Sequence, residues 1–104
     1  MYEFLEKKNY DMRIIGYIEH PALKITVFKM NNRISVKLES GLYEQTYKFR
    51  ERDDLANIEQ VRQLIDEPFI KAVEKELGQM HQRKLQALQR FLPPAEEDEF
   101  DVLI

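Results

Sequence analysis

Two histidines, three glycines and no cysteine leave this 104-residue chain a short list of groups with which to make or break bonds. The only serines are Ser35 and Ser40, and neither sits in the glycine-flanked turn that exposes a nucleophilic hydroxyl. Gly16, Gly41 and Gly78 are isolated from one another, so no glycine-rich loop is available to cradle a phosphate. His20 adjoins Pro21 and reads as a surface turn residue. His81 has Leu77 and Leu85 one helical turn to either side and reads as half-buried or interfacial; no carboxylate or second histidine lies three or four residues away to share a metal. Carboxylates are plentiful, but no pair is set in apolar surroundings that would drive their proton affinities apart. The expectation is a protein without catalytic residues, metal or cofactor.

Binding chemistry is better represented. Arg13, Tyr17, Lys24, Phe28, Arg33, Lys37, Lys48 and Arg50 recur with the parity of one face of a sheet. Aromatic rings among cations suit single-stranded nucleic acid, whose bases stack on rings and whose phosphates need positive charge. The same face, with Ile15 and Met30 added, suits burial against another protein subunit. Sheet surfaces also favour Tyr, Phe and Ile on propensity alone. Glu39 and Glu44 share the face and neutralise Lys24 and Lys37.

A sheet must present these residues, and turn chemistry says how. His20-Pro21-Ala22, Asn31-Asn32 and Ser40-Gly41 divide residues 12–50 into four strand-like segments. Two-residue loops at each turn set the register. Ile18 then faces Ile25 and Gly16 faces Val27; Val27 faces Val36 and Ile25 faces Leu38; Leu38 faces Tyr43 and Ile34 faces Tyr47. On the other face Glu19 meets Lys24, Lys24 meets Glu39, and Lys37 meets Glu44. Ile14 and Phe49 join the inner set, with Gln45 and Lys29 as its polar members. Ile15 and Tyr17 join the outer set, opposite Phe28 and Thr26. The fold class is α+β: a four-stranded antiparallel meander followed by a broken helical segment on one sheet face.

The period changes after Arg52. Asp53 or Asp54 is a suitable cap for Leu55, Ile58, Val61, Leu64 and Ile65 at helical spacing. Asp66 caps a second helix with Pro68 in its first turn, running to Pro93-Pro94. A helix over residues 67–92 is roughly 39 Å long, against about 26 Å for an eight-residue strand. Its far turns overhang the sheet, yet they stay apolar through Leu85, Leu88, Phe91 and Leu92. A second copy of the chain covering them makes the protein a homodimer; the alternative is that residues 1–11 fold back, with Phe4 and Leu5 as anchors.

The net charge of −3 is unevenly spread: residues 1–52 carry +3, residues 53–92 carry −1, and the last twelve carry −5. Residues 1–94 read as one domain and residues 95–104 as an acidic, flexible tail. With no cysteine, no basic-then-apolar leader and no apolar run of membrane-spanning length, the expectation is a soluble, cytoplasmic protein that avoids membranes. The tail carries Glu96, Glu97, Asp98, Glu99 and Asp101, then ends in Val102-Leu103-Ile104. It resembles the acidic tips of bacterial single-stranded-DNA-binding proteins. That resemblance implies competition with nucleic acid for the basic face and capture of a protein partner through Phe100, Leu103 and Ile104. The architecture, four antiparallel strands and then a helix, is similar to the whirly-type single-stranded-DNA-binding folds, which dimerise through helices. The same tail could instead solubilise the chain or add a strand to a sheet edge.

Overall fold

The structure, a computed structural model, describes residues 12–93. Four antiparallel strands, β1 (Arg13–Ile18), β2 (Lys24–Met30), β3 (Arg33–Ser40) and β4 (Tyr43–Arg50), lie side by side in chain order. Two helices follow, α1 (Ile58–Leu64) and α2 (Glu67–Phe91), giving an α+β fold. Both helices pack on one face of the sheet, α1 over β1 and α2 over β4.

Alternation determines which face that is. Ile18, Ile25, Val27, Ile34, Val36, Leu38 and Tyr43 are buried beneath Val61 and Ile65 of the α1 region and Val73 and Leu77 of α2. The two polar intruders on this face are accommodated. The Gln45 amide donates to the Val73 carbonyl of α2 at 3.1 Å and accepts from the Tyr47 hydroxyl at 2.5 Å. Lys29 reaches the sheet end and pairs with Glu51 at 2.9 Å.

The central register is as the Asn31-Asn32 turn requires, with Val27 opposite Val36 and Ile25 opposite Leu38. Asn31 takes the left-handed conformation that the turn demands. The β3–β4 turn differs from expectation. Gly41 takes φ +58°, the loop is Gly41-Leu42, and Leu38 faces Gln45 while Val36 faces Tyr47. The slip is two residues, so every side chain keeps its face.

The β1 correction does change faces. A bulge between Ile14 and Gly16 places Ile14 opposite Phe28 and Arg13 opposite Lys29. One extra residue inverts the parity of everything before it. Ile14 therefore turns outward and is 49% exposed, whereas Ile15 packs against the core. Arg13 moves to the helix-bearing side of the ladder.

The first helix also starts later than Asp53 or Asp54. Arg52 and Leu55 bond each other's backbones across a tight turn holding those two aspartates. The cap is Asn57, whose side chain accepts from the Gln60 amide at 2.9 Å while the Gln60 side chain accepts from the Asn57 amide at 3.3 Å. The second helix begins as expected, with Asp66 accepting from the Phe69 amide at 3.0 Å and a proline in the first turn.

Candidate functional site

Among the described residues, no element covers the sheet face opposite the helices. Its centre is nonetheless closely carpeted. Thr26 lies between Tyr17 and Lys37 across the strands and is only 4% exposed, so those two longer side chains shield it from water. Beside it runs an apolar strip on β1 and β2. Ile14 stands opposite Phe28, Tyr17 is half-exposed one row away, and Met30 continues the strip.

Charge divides the face into two ends. At the end near the β3–β4 turn, Glu39 stands directly opposite Glu44. Lys37 holds the pair together, 3.7 Å from Glu39 and 3.6 Å from Glu44. Lys24, opposite Glu39, belongs to this balanced end.

The other end is positively charged. Arg33 stands directly opposite Arg50, an arrangement that costs stability. Lys48 follows one row in, level with Ser35 and Phe28. None of the three forms an ion pair among the described residues. They line a shallow concavity of about 520 Å³ together with Asn31, Asn32 and Phe49. Lys48 is two strand spacings from Phe28, about 10 Å at the usual interstrand distance.

Of the sequence-selected set, Tyr17, Phe28, Arg33, Lys48 and Arg50 therefore form one continuous surface. Lys24 and Lys37 share the face but lie among acids, and Arg13 is on the other side of the ladder. Ile14, Asn31 and Asn32 were not among the candidates. The signal for Ile14 is local: Ile14-Ile15-Gly16 breaks polar–apolar alternation beside a glycine, the usual setting of a bulge.

The histidines have structural partners. The His20 ring Nδ1 accepts from the Ala22 and Leu23 amides, both at 3.1 Å, and so closes the β1–β2 turn. The Tyr43 hydroxyl and His81 Nδ1 are hydrogen-bonded at 2.7 Å, and the rings meet edge to face. Among the described residues no cluster of three or more His, Asp or Glu could hold a metal.

The overhang of α2 is real. Its buried residues end at Leu77, with Met80 still packed against the core. Leu85, Leu88 and Leu92 are half-buried, and Phe91 is 82% exposed. Phe100, Leu103 and Ile104, and the tail carboxylates, lie outside the described residues. No described helix is long and apolar enough to cross a membrane.

No protein-family model, curated protein or solved structure matches this chain.

Proposed function

We propose that the protein is a non-catalytic binding module that holds single-stranded nucleic acid across the open face of its sheet. Tyr17 and Phe28 offer rings for base stacking, and Arg33, Lys48 and Arg50 offer charge to phosphates. The observation that carries the reading is the Arg33–Arg50 opposition beside Lys48 and Phe28, without an ion pair among the described residues. Like charges set face to face cost folding energy, and an anion laid between them offsets that cost. Lys37, paired with Glu39 and Glu44, contributes less than the other cations, as does Lys24, which stands opposite Glu39.

The acidic tail fits the same surface as an intramolecular competitor, with Phe100, Leu103 and Ile104 left to engage a protein partner. The overhanging apolar turns of α2 fit dimerisation, through Leu85, Leu88, Phe91 and Leu92. A second reading has one specific observation in its favour. The bulge adds Ile14 to Tyr17, Phe28 and Met30, and a contiguous apolar strip is what a protein partner buries. On that reading the protein is a structural or adaptor homodimer.

Titration of a labelled single strand across a salt series tests the choice. Affinity falling log-linearly with salt, with a slope of roughly −2 for three phosphate contacts, supports nucleic acid. Phe28→Ala and Tyr17→Ala should each weaken binding by about 1–3 kcal/mol. Absence of binding at low salt removes the first reading and leaves the second.

A further inference from the structure

Among the described residues, positive charge on the open sheet face gathers at one corner rather than spreading along it. Arg33 and Arg50 stand opposite each other, their Cα atoms about 5 Å apart. Lys48 follows about 7 Å along β4 on the same face. Six residues along β3 from Arg33, or about 20 Å, the opposed Glu39 and Glu44 close the other end. Proteins that hold the middle of a single strand track its backbone with a charged groove. Here a backbone laid along the strands would run from three cations into two carboxylates.

The corner is also where the sheet ends. The Asn32 carbonyl accepts from the Glu51 amide at 2.7 Å, which ties the β2–β3 turn to the chain leaving β4. The concavity of about 520 Å³ spans that tie, from Asn31 and Asn32 to Lys48 and Arg50, and none of its lining residues is acidic. Glu51, the next acid in the chain, is drawn away from it. Its carboxylate pairs at 2.9 Å with Lys29, whose place in the ladder is on the helix-bearing side.

We infer that this corner receives a terminal phosphate of the bound strand: a phosphomonoester at the strand's end sits among Arg33, Lys48 and Arg50, and the bases next to it run toward Phe28 and Tyr17. This rests on the nucleic-acid reading above and names the part of the strand that the cations hold. An internal phosphodiester carries a single negative charge, whereas a monoester carries about −1.5 to −2 at pH 7 and presents three acceptor oxygens. Arg33 and Arg50 each offer a guanidinium fork that fits two such oxygens. The Asn31 and Asn32 side chains add neutral donors at the rim. A cluster of like charges is relieved most by the anion of highest charge, and the end of a strand supplies it.

Fluorescence titration of the full chain tests this with one short oligothymidylate carrying a 5′-phosphate, a 3′-phosphate or hydroxyls at both ends. A phosphate-ended strand is expected to bind at least about fivefold tighter than the hydroxyl-ended strand at low salt. The preference should fade at about pH 5, where the monoester has largely taken up its second proton. No histidine lines the concavity to titrate in its place. Arg33→Gln and Arg50→Gln should each reduce the preference, and together abolish it, whereas Tyr17→Ala should weaken all three strands alike. Equal affinity for the three strands at neutral pH overturns end recognition and leaves the nucleic-acid reading standing. A preference that survives in the double arginine variant overturns the site. A phosphoserine peptide bound as tightly as the phosphate-ended strand gives the corner to a phosphoprotein and overturns the assignment to nucleic acid. Absence of binding by any strand overturns both readings.

Discussion

Gly16 offers the sharpest test of how the helices hold the sheet. A Cβ built on it would lie 2.8 Å from Cδ1 and 2.9 Å from Cγ1 of Ile58, the first residue of α1. Carbon atoms rest at about 3.5–4.0 Å, so Gly16→Ala overlaps by most of an ångström. Ile58 is β-branched and has little rotamer freedom in a helix, so relief requires an off-rotamer side chain or a shift of α1. Overpacking of this kind costs about 1–3 kcal/mol, and the stiffer unfolded chain returns about 0.4–1. The net expectation is a loss of about 1–2 kcal/mol, or roughly 5–10 °C in Tm for a domain of this size. The control is the background. Ile58→Ala removes both close atoms and leaves only the Cβ contact at 3.5 Å, so in that background Gly16→Ala should become neutral or stabilising. Urea unfolding of the four proteins gives the cycle. Equal effects of Gly16→Ala in both backgrounds would refute the steric account.

Other contacts yield comparable tests. Gln45→Ala removes the amide that joins β4 to the Val73 carbonyl and the Tyr47 hydroxyl, and should lower the urea midpoint by the equivalent of about 1–2 kcal/mol. Asn57→Ala breaks the reciprocal cap of α1 and should cost about 1 kcal/mol by the same measurement, whereas Asp53→Ala and Asp54→Ala should cost less. Arg33→Ala and Arg50→Ala should leave stability unchanged or raise it by up to about 1 kcal/mol while reducing affinity for a single strand and flattening its salt dependence. If the tail competes as proposed, deleting residues 95–104, which removes five acidic side chains, should tighten strand binding in a fluorescence titration, and unchanged affinity would count against that competition.

Strand faces are legible in the sequence because parity survives a two-residue error. The β3–β4 loop lies one position later than Ser40-Gly41 suggests, since Gly41 takes the left-handed position at the start of the loop and Leu42 completes it. Ile25, Val36 and Leu38 stay inward regardless. Parity does not survive an inserted residue, so the bulge displaces Arg13, Ile14 and Ile15 together. The start of α1 is easily misread because two adjacent aspartates look like caps, and only the Arg52–Leu55 pairing shows that they occupy a turn. Asn57 followed three residues later by Gln60 is the better signal. The uneven charge of the outer face cannot be read from residue types alone. It depends on the true register, which sets Glu39 against Glu44 at one end and Arg33 against Arg50 at the other. Gly78 stands out in the sequence only as a weak point in a helix. Its place beside a cavity depends on the position of the Gly41-Leu42 turn.

The hydrogen bond between Tyr43 and His81 sits where α2 leaves the sheet. Beyond it, residues 82–91 project for about 15 Å at the ordinary helical rise. Any force on the free end acts there with that whole length as its lever arm, and the Tyr43–His81 contact is the fulcrum. Among the described residues, torque on the helix is thus borne first at the Tyr43 ring, by the His81 imidazole and by Lys84 above it, and the rigidity of that joint sets how far the tip can swing.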